Sequence, residues 1–318
     1  MKIIHKIIPS ILAAALIIGH AHAATVGIGS NPQGSVAYSS ASAIARVVSE
    51  NSDHRMRVVP QGGPETTIPM VNDGAMEFSV SNAVDAIYAV RGQEIFEGRE
   101  YSNMKVVAAL FPLNVGFFVH ESSDIHNIAD LAGKRVPIGF GRQQGLLMMS
   151  RAMLATEQLS EDDINGVFTP SGTRGIQDFI AGRTDAAVFS VGSGAVAEAN
   201  ASVGGIRFLS LSDTPEELET IRGVTPGAFI ATLSPAPNLP GIIDETNVWM
   251  TPFVLLASDN TPDDLVYEVT RLIHDHAESL ASAAAVFKSF DPMNMMVELE
   301  DIEYHSGALK FYEEIEEP

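Results

Sequence analysis

The sequence predicts an α/β protein built as two similar lobes around a cleft, and three observations carry that expectation. Short apolar runs alternate with helical patterns, which is how a parallel sheet covered by helices reads in a sequence. The pattern then repeats in the same order. "RVPIGFGRQQGLLMMSRAML" (Arg135–Leu154) echoes "VGIGSNPQGSVAYSSASAIA" (Val26–Ala45), and "AGRTDAAVFSVGSGAVAEA" (Ala181–Ala199) echoes "DGAMEFSVSNAVDAIYA" (Asp73–Ala89). Finally, two long strand-like runs, Lys105–His120 and Val248–Ser258, each carry a proline, Pro112 and Pro252, and read as interrupted chains crossing between lobes.

The elements follow in order. Lys2 and Lys6, an apolar stretch from Ile7 to Ile18, and Ala21-x-Ala23 before Ala24 form the layout of a cleaved secretory signal over residues 1–23. That stretch is too short to span a bilayer, so a soluble mature chain starting at Ala24 is expected. Strands are expected at Thr25–Ile28, Arg55–Val59, Glu77–Val80 and Val106–Leu110, and helices at Val36–Ser49, Thr66–Asp73 and Asn82–Val90. Gly74 and Gly182 suit helix ends, while Ser81 or Asn82, and Ser190 or Ser193, suit helix starts. The domain division expected is residues 24–112 with 250–318 for the first lobe and 113–249 for the second. The tail beyond Pro262 reads as helices, broken at Asp291-Pro292.

Composition narrows the function. Against 19 lysines and arginines stand 40 acids, a net charge of −21, and removal of the signal would take away two lysines and no acid. A chain so acidic offers no basic face to nucleic acid. With no cysteine, neither disulfides nor thiolate chemistry is available. The first glycine-rich turn is not a dinucleotide fingerprint, because Pro32 stands where the third glycine belongs. Nor is it a nucleotide loop, because Ser35 and Val36 follow Gly34 where Lys and Ser/Thr are needed. Its backbone N–H groups at a helix start still suit an anion.

Catalytic patterns are sparse. No G-x-S-x-G elbow occurs. The "HDH" at His274–His276 would project to different faces of a helix. Met293, Met295 and Met296 read as core, and no metal or cofactor is expected. Glu65, Asp85 and Asp185 are acids that acid–base chemistry could use, although Asp185 reads as a turn residue before a strand. The expectation is a binding protein, with an enzyme on the same scaffold as the alternative.

Taken together, "VGIGSNPQGSVAYSSASAIARVVSE", "NDGAMEFSVSNAVDAIYAV", "LAGKRVPIGFG", "AGRTDAAVFSVGS", "TPDDLVYEVTRLI" and "YHSGALKFYEE" cover nearly the whole mature chain. In that order the series resembles the TAXI family, substrate-binding proteins of tripartite ATP-independent periplasmic (TRAP) transporters. The resemblance implies the two-lobed class II periplasmic binding protein fold, with a ligand cleft between lobes joined by two crossover strands. It also implies a small carboxylate such as glutamate or 2-oxoglutarate, gripped by lobe closure in the periplasm and delivered to TRAP membrane subunits. A monomer is expected, and a sensory role without transport stays open.

The resemblance carries the first loop (Ser30, Gly34, Ser35, Tyr38), the second (Gln61, Gly62, Gly63) and the third (Ser81, Asn82) as ligand contacts. Departures are Ala37-Tyr38 in place of paired tyrosines, and Pro64 in place of a polar residue. In the second lobe, Phe140, Arg142, Gln143 and Gln144 of "GFGRQQG" and Ser190 and Gly192 of "SVGS" are the expected contacts. First-loop amides and Ser35 would hold one carboxylate. Arg142 would form a forked, charge-assisted pair with the same or a second carboxylate, with Arg174 as its rival. Tyr38, Phe111 and Phe140 would line the apolar wall.

Overall fold

A computed structural model of the protein describes residues 25–141, 143–299 and 301–316. The expected signal segment and Arg142 lie outside the described residues. The chain opens β1 (Thr25–Ser30), α1 (Val36–Asn51), β2 (Arg55–Pro60), α2 (Pro64–Asn72), β3 (Phe78–Asn82) and α3 (Ala83–Arg91). The long strand β4 (Met104–His120) follows, then β5 (Arg135–Gly139), α4 (Gln144–Ala155), β6 (Asn165–Thr169) and α5 (Gly172–Ile180). Next come β7 (Ala186–Ser190), α6 (Gly194–Val203), β8 (Ile206–Phe208), α7 (Pro215–Val224) and β9 (Phe229–Leu233). The second long strand, β10 (Thr246–Ser258), leads to α8 (Asp263–Asp275), α9 (Ala277–Ala283) and α10 (Ser306–Glu316).

Local chemistry explains the boundaries. The hydroxyl of Ser35 caps α1 by accepting from Tyr38 N at 3.1 Å. Asn82 caps α3, its Oδ1 accepting from Asp85 N at 2.9 Å, and Ser193 caps α6 by accepting from Val196 N at 3.3 Å. Thus Asn82 and Ser193, rather than Ser81 and Ser190, are the caps. The second helix begins at Pro64, earlier than expected, because a proline at the first helical position has its φ preset and needs no N–H partner. The repeated turns close on glycines in the left-handed region, Gly74 at φ +72° and Gly182 at φ +68°.

The repeat has a physical content. In the first lobe Glu77 Oε2 accepts from the amide of Gly27 on β1 at 2.6 Å. In the second, Asp185 Oδ2 accepts from the amide of Arg135, the first residue of β5, at 2.8 Å. Each echoed acid therefore ties the turn before one strand to the start of its lobe's leading strand. Arg135 also returns its guanidinium to Asp185, which holds that carboxyl below the usual range.

The sheet order is β2-β1-β3-β10-β4-β7, with β8 also on β4 and β9 also on β10, while β5 and β6 form a separate parallel pair. The two long strands change partners along their length. On β10, Thr246–Met250 pair with β9 and Phe253–Ala257 pair with β3. On β4, Val115–Val119 pair with β7. β4 and β10 are paired with each other from Trp249 opposite Val115 to Ser258 opposite Met104, and between the segments that carry a third strand Pro112 faces Pro252 in register. Both strands run through their prolines, contrary to the expected interruption. The reason lies in the unpaired outer edges of that short ribbon, where a missing N–H removes little from the ladder.

Trp249 is fully buried beside this crossover, and its Nε1–H donates to Thr225 Oγ1 at 2.9 Å. Of the three methionines expected in the core, Met295 is buried, whereas Met293 and Met296 are exposed. The tail after α9 turns sharply through short 3-10 segments, which leaves those two side chains on the surface.

Candidate functional site

Helix starts from both lobes meet at one cavity. Asn31, Ser35, Val36 and Ala37 reach it from the start of α1, Pro64 from α2, and Ser81, Asn82 and Asp85 from the end of β3 and the first turn of α3. Gln143, Gly145, Leu146 and Met149 reach it from α4, and Phe189 and Ser190 from the end of β7. Leu113, Val115 and Phe253 of the crossover strands form its floor. These loops follow the carboxyl ends of strands, where open α/β sheets place ligands.

The lobes are closed over this cavity. The amide of Ala195 at the start of α6 donates to Gly34 O at 3.3 Å, and the Tyr88 hydroxyl of α3 donates to Val224 O of α7 at 2.5 Å. The closest approach involves Gly145. A Cβ there would fall 2.3 Å from Asp85 Oδ1, so the start of α4 packs against that carboxyl with no room to spare.

The electrostatics are those of buried acid. Asp85 is 2% exposed; its Oδ2 accepts from Asn82 Nδ2 at 2.5 Å, and its Oδ1 is buried with no partner. Burial pushes its pKa up to about 6, against which the Asn82 hydrogen bond pulls down. Behind it, both carboxyl oxygens of Glu65 are buried and unpartnered; burial pushes that group up to about 8, and the Asp85 charge acts in the same direction. The Ser81 hydroxyl, 1% exposed, is also unpartnered. Among the described residues no lysine, arginine or histidine lines the cavity.

Five expected contacts are brought together here: Ser35, Ser81, Asn82, Gln143 and Ser190. Three of them are already committed, Asn82 through its two bonds to Asp85. The Ser35 hydroxyl donates to Pro32 O at 2.7 Å, so it is neither an activated nucleophile nor a free donor, and the first amides of α1 at Val36 and Ala37 remain as donors. Gln143 Oε1 accepts from Gly172 N at 2.7 Å and ties the starts of α4 and α5 together. Phe111 and Gly192 line an adjoining cavity with Asn114 and Leu239.

The remaining expected contacts among the described residues do not line the cavity. Ser30 is fully buried and its hydroxyl bonds to Asn31 O. Gly34 has φ +91° and serves the turn and the inter-lobe hydrogen bond. Tyr38 lies one position past the lining part of α1, and Gln61, Gly62 and Gly63 precede Pro64, which does line it. Phe140 is fully buried at φ +38°, and Gln144 turns back to Gly139 O at 3.0 Å. Arg174 is exposed and reaches Asp178 of its own helix at 3.3 Å, because the first turn of α5 points its long side chain along the helix surface. Asp85 is the residue that reading by contacts missed. Its signal was a single acid inside the apolar helical run "AVDAIYAV".

The profile of the NMT1-like family matches residues 28–315. The chain belongs to the NMT1-like family. Its fold is that of two-lobed periplasmic binding proteins. MatC from Rhodopseudomonas palustris with bound malate superposes with a TM-score of 0.57 at 12% identity, over 92% of this chain and 96% of that one. PhnD1 from Prochlorococcus marinus in complex with methylphosphonate gives 0.56 at 11% identity, over 92% and 96%. A protein described as a periplasmic transporter gives 0.54 at 14% identity, over 94% of each chain. At these identities the likeness concerns architecture, and within it this NMT1-like chain carries its own cavity lining.

Proposed function

We propose that this NMT1-like protein is a periplasmic solute receptor that closes its two lobes on a small organic acid and hands it to the membrane subunits of a TRAP transporter, as the TAXI-like motif series implies. The observation that carries this reading is the convergence of helix starts from both lobes on one closed cavity. Closure is how such a receptor works: a ligand touching both lobes shifts the population towards the closed form. The amides at Val36 and Ala37 suit a carboxylate. Malate in MatC and methylphosphonate in PhnD1 are both small oxyanions, which supports an anionic group on the solute.

The accompanying proposals are cleavage after Ala23, a monomeric mature chain, and a division at the crossover strands into residues 24–112 with 250–318 and residues 113–249. The test is a thermal-shift screen of the mature protein against small mono- and dicarboxylates. A ligand at 100 times its dissociation constant stabilises the folded state by about 2.7 kcal/mol, so a carboxylate that raises Tm in a dose-dependent way is expected. A flat response across the set would overturn the organic-acid reading. Arg142→Ala in the same assay tests the expected pairing of Arg142 with a ligand carboxylate, through a loss of roughly thirty-fold or more in affinity.

A further inference from the structure

We infer that Asp85, with the Ser81 hydroxyl on the same cavity wall, forms a subsite for a protonated amine on the solute, so that the cleft selects amine-bearing acids over their keto or hydroxy counterparts. This rests on the reading of the inter-lobe cavity as the ligand site and names the solute's second functional group. Asp85 is a lone acid on a helix otherwise buried in apolar contacts, and its carboxyl has one oxygen satisfied and one empty. Asn82 donates to Oδ2, which fixes that oxygen as an acceptor. The empty Oδ1 and the empty Ser81 hydroxyl belong to residues that line the same cavity, so two unpartnered polar groups, from the end of β3 and the first turn of α3, serve one space.

A buried polar atom left unpaired costs about 1–3 kcal/mol, and more when charged. A closed cavity that keeps two such atoms is therefore incomplete without a donor from outside. A neutral hydroxyl could satisfy Oδ1, but an ammonium does more. It makes a charge-assisted bond, roughly twice as strong as a neutral one, and offsets the desolvation that makes an unpaired buried carboxylate costly. Glu65, pushed up to about 8 by burial, stays protonated near neutral pH, so the charge that an ammonium would meet here is that of Asp85. With no described cation in the lining, the protein itself leaves this charge uncompensated. A metal ion would need more ligands, and among the described residues no group of three His, Cys, Asp or Glu is arranged to hold one. The solute that fits carries a carboxylate for the helix-start amides and an ammonium for Asp85, as an α-amino acid does.

The test uses matched pairs that differ by the amine alone: L-glutamate with 2-oxoglutarate, L-leucine with 4-methyl-2-oxopentanoate, and L-alanine with pyruvate. Calorimetric titration of the mature wild-type protein should show at least one amino acid bound about ten-fold or more tighter than its keto partner. In Asp85→Asn, which preserves side-chain size and can still be oriented by Asn82, that preference should shrink to near unity or invert. Ser81→Ala should reduce it by a smaller factor. Tighter binding of keto acids by the wild type, or an undiminished amine preference in a folded Asp85→Asn protein, would overturn the subsite and leave the receptor reading standing. Should Asp85→Asn fail to fold, the wild-type pairs decide alone. If neither member of any pair binds, while other carboxylates do, the amine subsite falls. If no carboxylate binds, the organic-acid reading falls with it.

Discussion

Gln143 shows how much a single side chain holds in place. Its Oε1 is the partner of the buried Gly172 amide, and it occupies the N-cap position just before α4 without capping that helix itself. That bond is buried, so truncation leaves a buried N–H without its acceptor. Gln143→Ala should therefore cost about 1–3 kcal/mol, read as a lower Tm of the unliganded protein. Gln143→Glu, which keeps an acceptor, should recover part of it. An unchanged Tm in Gln143→Ala would show that the Gly172 amide finds another partner. Asp85 is the opposite case. Its side chain bonds only to the neighbouring Asn82 and leaves Oδ1 unpartnered, so in the proposed subsite its burial is a cost that the solute's ammonium offsets.

At the scale of elements, the feature that matters is how the start of α4 meets the start of α3. Gly145 permits that contact because any side chain would enter the Asp85 carboxyl. Gly145→Ala should leave each lobe folded, since alanine in a helix is more favourable than glycine by up to about 1 kcal/mol. Closure should suffer instead. The expected result is an affinity at least about ten-fold weaker, about 1.4 kcal/mol, with small-angle scattering showing a less compact protein at saturating ligand than the wild type. Equal affinity and equal compaction would show that α4 can shift without penalty. The ribbon at Pro112 and Pro252 is the other element-scale device. With both prolines opposite one another and no third strand attached there, the junction between lobes has fewer ladder bonds than the sheets on either side. That is a natural place for the lobes to turn.

The whole molecule carries a pH signature from its two buried acids. Glu65 sits at about 8 and Asp85 at about 6 in the folded chain, both above the ordinary carboxyl range. Between an unfolded value near 4 and those folded values, the native state binds more protons than the unfolded one, so unfolding free energy falls as pH rises. The stability these groups allow is present in full below about pH 4 and lost on passing through 6 and then 8. Carboxyls held low by partners, such as Asp185 beside Arg135, act in the other direction and only at lower pH. The unliganded Tm should therefore decline from about pH 5 to pH 8. Glu65→Gln should flatten that decline, by about 2 °C for each kcal/mol removed. A wild-type Tm that climbs over this interval would show that the two acids are ionised and paired in solution.

Alternating strands and helices, the echoed turns and the two proline-bearing runs were enough to establish an α/β chain of two lobes around a cleft. These features are local, set by hydrophobic period, by caps such as Asn82 and Ser193, and by glycines at left-handed turns. Local chemistry also located the loops, and with the TAXI resemblance Ser35, Ser81, Asn82, Gln143 and Ser190 could be named as contacts in them. What each side chain does in those loops depended on neighbours remote in sequence. Pro32 takes the Ser35 proton, Gly172 takes the Gln143 acceptor, Asp178 draws Arg174 away, and Phe140 turns into the core. Only the tertiary structure set Asp85 against Gly145, sixty positions further along, and left its Oδ1 without a partner. A hydrophobic pattern reports which face of a helix is buried. It does not report what lies across the cleft when two lobes close, and for Asp85 that facing surface decides whether a buried acid is a defect or half of a binding site.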